Sequence, residues 1–247
     1  MKAHSFPNNQ DFSNHRCLSN VIPQAAESSP GRHSPAQKSQ RLKQQTVCHS
    51  VATVAEIDYP HFRKIARQKA ERGNYTEAIA ILTCLIDRHP NDANDYNNRG
   101  LIYFQSGELE SALADYNKAI QLNPNLAGAY NNRANYYAER GKLIEAIDDY
   151  DRAIDLNPVH VRAWINQGIT FRQLGLYDRA IENFDFAVRL GQLKAHILAE
   201  RGRTYHLMGD WNYAIADYRR ALESLALGSR RQQVENWLNE LLSPGQF

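Results

Sequence analysis

The segment YNNRGLIYFQSGELESALADYNKAIQLNP occupies residues 96–124, and YNNRANYYAERGKLIEAIDDYDRAIDLNP occupies residues 130–158. The two segments align without a gap at an offset of 34 residues. Four rows of residues keep this interval along most of the chain: Gly73, Gly107, Gly141, Gly175 and Gly209; Ala78, Ala112, Ala146, Ala180 and Ala214; Phe62, Tyr96, Tyr130, Trp164 and Leu198; and Leu82, Tyr116, Tyr150, Phe184 and Tyr218. Such agreement predicts five structural repeats over 59–92, 93–126, 127–160, 161–194 and 195–228.

Each repeat carries two apolar stripes at helical spacing. Positions are counted from the first residue of each repeat. In the third repeat, which begins at residue 127, positions 4, 8 and 11 hold Tyr130, Ala134 and Tyr137, which fall on one face of a helix. A second stripe occupies positions 20, 24 and 27, after the shared glycine that ends the first helix. Because one such unit cannot cover its own apolar face, the repeats must stack. The sequence therefore predicts an all-α solenoid, in which each repeat has a leading helix and a trailing helix.

These repeats closely resemble the tetratricopeptide repeat (TPR) family, whose unit is a helix–turn–helix. The resemblance covers residues 59–228 and implies an array with a concave groove lined by the leading helices. In this family the groove typically binds an extended or helical segment of a partner protein. The resemblance says little about the biological process, because TPR arrays serve as scaffolds in many unrelated ones.

The N-terminal residues differ in composition from the repeats. Residues 1–50 are rich in Ser, Gln, Asn, His and Pro and hold six basic residues against two acidic ones. Such a segment buries too little apolar surface to fold, so we predict a disordered tail. Valines at 47, 51 and 54 indicate a short helix over 51–58 that leads into the array. An arginine- and serine-rich, acid-poor start is also typical of organelle transit peptides, and that alternative stays open.

The end of the chain predicts a capping helix. Residues 229–243 include Val234, Trp237, Leu238 and Leu241, which share one helical face. Such a helix would cover the exposed end of the fifth repeat.

Composition narrows the class of protein. Lys+Arg 29 against Asp+Glu 27 gives a net charge of +2, which argues against a dedicated polyanion binder. There is no apolar run of 18 residues and no secretory signal, so neither a membrane span nor secretion is expected. The cysteines, Cys17, Cys48 and Cys84, are odd in number and lack a CxxC pattern, which predicts no disulfide framework and no zinc site. We therefore predict a cytoplasmic protein.

The sequence contains no recognisable catalytic motif. GxSxG, P-loop, HExxH and CxxC patterns are all missing. The nearest constellation is His196, Glu200 and His206 on one predicted helix, where His206 lies about 15 Å beyond His196 along the axis. These side chains cannot close on one metal ion. We predict no catalytic residues, no cofactor and no metal.

Two positions vary together between repeats. Positions 7 and 23 are both apolar in the first repeat, cationic and anionic in three repeats, and amides in the fourth: Ile65 with Ile81, Arg99 with Asp115, Arg133 with Asp149, Gln167 with Asn183, and Arg201 with Asp217. We predict that the two positions touch within each repeat, where partial burial makes the pairing necessary.

The predicted binding residues lie on the leading helices, opposite the core stripe. Positions 2, 5, 6, 9, 12 and 13 hold six basic residues against three acidic ones, whereas residues 59–228 hold 21 of each sign. The candidates are Asn97, Asn98, Leu101, Phe104, Asn131, Asn132, Asn135, Arg162, Asn166, Ile169, Arg172 and Arg203. Asparagine amides suit hydrogen bonding to a peptide backbone, and the apolar residues would act as anchors. The expected partner is a protein or peptide with an acidic segment or a C-terminal carboxylate.

Other functions within and beyond this class stay open. Some TPR co-chaperones hold a terminal carboxylate in a Lys/Asn clamp, but here Arg67 replaces an expected Asn, and Gly128 and Asn132 replace a Lys and an Arg. Repeats of the YNNRG type are also similar to TPR proteins of photosynthetic bacteria and plastids, several of which assist membrane-complex assembly. An RNA-binding helical repeat is the third alternative, although the array has no continuous basic patch. The sequence does not predict an oligomeric state.

Overall fold

The computed structural model describes residues 58–243, which form eleven α-helices and no strand. The helices are α1 Tyr59–Glu71, α2 Tyr75–Arg88, α3 Ala93–Ser106, α4 Leu109–Leu122, α5 Ala127–Glu139, α6 Leu143–Leu156, α7 Val161–Gln173, α8 Tyr177–Arg189, α9 Lys194–Met208, α10 Trp211–Ser224 and α11 Ser229–Leu242. The predicted all-α helix–turn–helix solenoid is confirmed. The predicted tail (1–50) and the predicted helix over 51–58 lie outside the described residues, except for Asp58.

The packing order follows the repeats. The leading and trailing helices of each repeat pack on one another, and each trailing helix packs on the next leading helix. Leading helices of neighbouring repeats, such as α3 and α5, also touch. These contacts create a continuous wall of leading helices, on which the predicted binding residues lie.

Small and aromatic residues explain the close approach within a repeat. Tyr116 of the trailing helix α4 is fully buried against the leading helix α3. A Cβ atom added at Gly100 of α3 would lie 2.8 Å from the Tyr116 ring, so a larger residue would not fit without movement. The turn after α3 depends on Gly107, whose φ of 84° lies in the left-handed region that favours glycine.

The buried tyrosines differ in how their hydroxyl groups are satisfied. The Tyr150 hydroxyl donates to Asn135 Oδ1 at 2.7 Å. The Tyr116 hydroxyl is buried and has no hydrogen-bond partner among residues 58–243, because position 9 of its repeat holds Leu101 where the next repeat holds Asn135.

We therefore predict opposite responses to the same change at two equivalent positions. Tyr116→Phe should leave the free energy of unfolding unchanged or raise it by up to about 1 kcal/mol, since it removes an unpaired buried hydroxyl. Tyr150→Phe should lower it by about 1 kcal/mol, since it removes a hydrogen bond. Urea unfolding followed by circular dichroism measures both. Equal losses for the two variants would show that the hydroxyl environments do not differ as described.

The predicted contact between positions 7 and 23 is confirmed. The hydrogen bonds are Arg99 Nε to Asp115 at 2.8 Å, Arg133 Nε to Asp149 at 2.7 Å, Arg201 Nε to Asp217 at 2.7 Å, and Asn183 Nδ2 to Gln167 Oε1 at 2.8 Å. In the first repeat, Ile65 and Ile81 belong to one apolar cluster. The arginine of the NNR motif is therefore part of the scaffold.

The four polar position-7 side chains make a second contact, which the sequence pattern does not predict. Each also reaches position 25 of the preceding repeat: Arg99 to Thr83 at 3.1 Å, Arg133 to Asn117 at 2.8 Å, Gln167 to Asp151 at 2.6 Å and Arg201 to Asp185 at 2.5 Å. Each of these four residues therefore connects three helices and fixes one repeat against the preceding one.

The predicted capping helix is present as α11, which packs on α10. Val234 and Leu241 are buried in a cluster with the fifth repeat. The Trp237 ring lies 5.9 Å from the ring of Tyr218, and the guanidinium groups of Arg203 and Arg230 lie 5.2 and 5.6 Å from it. Tryptophan thus anchors the cap through apolar and cation–π contacts.

The Cys84 side chain is buried on α2. The absence of a disulfide framework stays a prediction.

Candidate partner-binding groove

A groove with a volume of about 1040 Å³ opens between the leading helices α1 and α3. Arg162 at the start of α7 also lines it, although this residue belongs to the fourth repeat. Asn98 and Leu101 of α3 are the two other predicted binding residues in its wall. The apolar part of the wall includes Pro60 and Ala70 of α1. The groove thus combines apolar surface with groups that can hydrogen-bond or carry charge.

The cations of this groove differ in how they are neutralised. Arg63 contacts the carboxylates of Asp92 at 2.5 Å and Asp95 at 2.6 Å, and Asp95 is fully buried. Lys64 and Arg162 are exposed and contact no carboxylate among residues 58–243. The Arg67 side chain is 72% exposed, and its nearest carboxylate, Glu71, lies 3.7 Å away. An ion pair this exposed stabilises little, so Arg67 also keeps an available charge.

The asparagines of the middle repeats bind one another. Asn132 Nδ2 donates to Asn97 Oδ1 at 2.9 Å, which joins α5 to α3. Asn166 Nδ2 donates to Asn135 Oδ1 at 2.9 Å, which joins α7 to α5. Asn131 is only 5% exposed and donates to Asn132. These amides therefore connect neighbouring leading helices, and much of their hydrogen-bonding capacity is used inside the array.

Asn98 is the exception among the predicted asparagines. Its side chain is half-buried in the groove wall and makes no hydrogen bond to another described residue. It keeps both donors and an acceptor for a partner.

A network of charged side chains joins the leading helices α7 and α9 to the capping helix α11. Arg172 of α7 donates to Glu200 of α9 at 2.8 Å, and Arg230 of the capping helix contacts the same carboxylate. Burial raises the pKa of Glu200, but the charges of Arg172 and Arg230 outweigh it, so this pKa lies below its ordinary value. Arg203 lies 3.9 Å from Glu240 of the cap. Arg172 therefore stabilises the junction with the cap through Glu200, and Arg203 contacts the cap mainly through the Trp237 ring.

The sequence did contain a signal for this network. Position 6 holds Asn98, Asn132 and Asn166 in the middle repeats but Glu200 in the fifth. A carboxylate at a buried position of a basic surface indicates an internal ion pair.

Two of the predicted apolar anchors pack against the core of the array. Phe104 packs against the cluster that contains Tyr116, and Ile169 packs against the cluster that contains Phe184. Leu101 is the predicted anchor that lines the groove. The assignment of all twelve candidates to partner binding stays a prediction, and the groove brings together Asn98, Leu101 and Arg162.

In residues 58–243, no three His, Cys, Asp or Glu side chains are placed to hold a metal ion. No helix in this range is both long and apolar enough to cross a bilayer.

Comparison with known proteins supports the repeat architecture. A TPR repeat model matches residues 100–139, and two tetratricopeptide repeat models match residues 127–160 and 165–229. Together these matches span just over half of the chain. No curated protein sequence matches significantly.

Two solved structures illustrate the shared fold. The MamA protein superposes with a TM-score of 0.55 at 24% identity, over 69% of this chain and 97% of that chain. TTC0263, a thermophilic TPR protein of Thermus thermophilus, gives a TM-score of 0.62 at 21% identity, over 74% of this chain and 98% of that chain. At these identities the likeness shows a shared fold.

Proposed function

Because this chain belongs to the tetratricopeptide repeat family, we propose that it is a non-catalytic scaffold that binds a peptide segment of a partner protein. The groove between α1 and α3 is the binding site in this proposal. The observation that carries it is the open volume of about 1040 Å³, whose wall joins apolar side chains to Lys64 and Arg162, which contact no carboxylate among the described residues. Such a mixed concave surface is typical of peptide recognition by helical grooves.

The acidic character of the partner follows from the same wall. Lys64, Arg67 and Arg162 face the groove, and the acidic residue in its wall is Glu71. A positive surface attracts a negatively charged segment and aligns it before the close contacts form. The unpaired amide of Asn98 would then hydrogen-bond to the peptide backbone.

The remaining alternatives receive less support. RNA-binding surfaces commonly stack bases on exposed aromatic rings, whereas the repeat tyrosines Tyr116, Tyr150 and Tyr218 are buried in the core. Assembly of a photosynthetic complex rests on likeness of sequence alone. A cytoplasmic location stays a prediction.

We predict that one added negative charge in the groove weakens partner binding about tenfold. Asn98→Glu places a carboxylate beside Lys64 and Arg162 in the groove wall, where it neutralises cations and repels an acidic segment. Gln121→Glu is the matched control, since it adds the same charge at an exposed position of α4 outside the groove. Partners captured from a cell extract by the wild-type chain and both variants would be quantified by mass spectrometry. Equal recovery by all three proteins would contradict the proposed site.

A further inference from the structure

We infer that the groove recognises an internal acidic segment of its partner, in which side-chain carboxylates meet Lys64, Arg67 and Arg162 and a neighbouring apolar side chain packs on Leu101. This inference rests on the proposed function and specifies the chemistry of the bound segment. The inference also divides the surface formed by the leading helices into two parts. The part at α1, α3 and the start of α7 binds the partner, whereas Arg172 of α7 and Glu200 of α9 are bonded to one another and, through Glu200, to the cap.

The charges on the wall divide into two sets. Arg172 is bound to Glu200, and the guanidinium group of Arg203 lies over the Trp237 ring of the cap, so a partner would have to break internal contacts to use them. Lys64 and Arg162 contact no carboxylate in the described part of the chain, and Arg67 is largely exposed. Cations that the scaffold leaves unpaired keep their full attraction for a partner, because nothing internal must be broken first.

The three cations occupy two sides of one space. Lys64 and Arg67 are three residues apart on α1, which places them on adjacent turns about 4.5 Å apart along the helix axis. Arg162 enters from the start of α7 and lines the same groove. Carboxylates on one peptide segment could therefore be contacted from both sides. A volume of about 1040 Å³ accommodates several residues of such a segment.

Apolar side chains also line the groove, so the bound segment should carry an apolar residue as well. Leu101 and Ile102 of α3 and Ala70 of α1 line the groove together with Tyr75. A purely acidic segment would leave this surface without a contact. An apolar residue beside the acidic ones would bury it and contribute the less salt-dependent part of the affinity.

A terminal carboxylate fits the groove less well than an internal segment. Recognition of a chain end needs several donors that converge on one carboxylate. Asn132 donates its amide to Asn97, and Asn166 donates its amide to Asn135. Arg172 is bound to Glu200. Apart from Asn98, these donors are thus engaged, while the available cations are spread over two helices.

The test selects binders without assuming a partner. Two libraries of random 12-residue peptides, one displayed with a free C-terminus and one with a blocked C-terminus, are selected on the full-length protein. Enriched peptides are synthesised with amidated and with free C-termini, and their affinities are measured by fluorescence anisotropy. The same peptides are tested on the triple variant Lys64→Glu, Arg67→Glu, Arg162→Glu. Arg140→Glu, Arg189→Glu, Arg220→Glu is the matched control, with the same change of net charge at exposed positions outside the groove.

We expect enriched peptides to contain two or more acidic residues next to an apolar one. Amidation should leave their affinity unchanged, the groove variant should bind them at least 100-fold more weakly, and the control variant should bind within about threefold of wild type. Circular dichroism confirms that both variants remain folded. Peptides that need a free C-terminus, or that bind the groove variant as well as wild type, would overturn the inference while leaving a peptide-binding scaffold intact.

Failure of the proposed function gives a different result. If no peptide is enriched more strongly on this protein than on a folded control protein, the scaffold proposal itself loses its support. A 12-nucleotide oligo(U) RNA serves as the second probe on the same proteins. RNA binding tighter than that of any selected peptide, and lost in the groove variant, would overturn the inference in favour of nucleic-acid recognition.

Discussion

Replacing Arg133 with isoleucine is expected to lower the free energy of unfolding by about 3 kcal/mol. Arg133 bonds Asp149 through Nε at 2.7 Å and through Nη2 at 2.8 Å, and the Asp149 side chain is 10% exposed. Removal of the arginine leaves this buried carboxylate without its counter-charge and without two hydrogen bonds. The variant also loses the bond from Arg133 to Asn117 of the preceding repeat. Urea unfolding followed by circular dichroism at 222 nm measures the change.

The double variant Arg133→Ile, Asp149→Ile is the control for this prediction. The first repeat already contains this apolar pair, as Ile65 and Ile81. Replacement of both partners removes the unpaired charge, so the double variant should recover to within about 1 kcal/mol of wild type. If the double variant is as unstable as the single one, the loss comes from packing at these positions and not from the unpaired aspartate.

Glu200→Gln is expected to lower the free energy of unfolding by about 2 to 3 kcal/mol. The Glu200 side chain is 6% exposed and receives Arg172 and Arg230, which join the fourth repeat, the fifth repeat and the cap. The neutral amide keeps the shape of the side chain but leaves two partly buried cations without their counter-charge. Glu235→Gln is the matched control on α11, since its partner Arg231 forms a more exposed i,i+4 pair worth about 0.5 kcal/mol or less. Equal losses for the two variants would contradict the central role of Glu200.

The effect of Glu200→Gln should also depend on pH. The folded pKa of Glu200 lies below its ordinary value, so its charge stabilises the protein above the unfolded pKa of about 4.3. This contribution is lost as the pH falls through the lower, folded pKa. The difference in unfolding free energy between wild type and Glu200→Gln should therefore be large at pH 7 and reduced at pH 3. A difference that stays constant between these pH values would show that charge is not the cause.

The pairing inside each repeat could be predicted because the five repeats show which residue types occur together at the same two positions. Positions 7 and 23 change together from Ile65 and Ile81 to Arg99 and Asp115, and this joint change reveals a contact. The second contact, from position 7 to position 25 of the preceding repeat, was not predictable in the same way. Position 25 changes from Thr83 to an asparagine or aspartate while position 7 stays arginine, because a neutral oxygen and a carboxylate both accept a hydrogen bond from a guanidinium group.

The groove was predictable only in outline. Helical periodicity places Asn97 and Asn132 on the leading-helix wall, but it cannot show that these two amides bind each other at 2.9 Å. That contact depends on the distance between neighbouring repeats. Likewise, Arg162 lines the same groove as α1 because small rotations accumulate from repeat to repeat. No local sequence pattern encodes this rotation.

Site-specific photo-crosslinking tests the central claim most directly. A photoreactive benzoylphenylalanine would replace Gln105, an exposed residue of the groove wall, or Asp148, an exposed residue of the trailing helix α6 outside it. Each protein is irradiated with a bound peptide from the display selection, and the crosslinked product is identified by mass spectrometry. We expect crosslinks from position 105 and none above background from position 148. Crosslinks from position 148 alone would contradict partner binding in the groove.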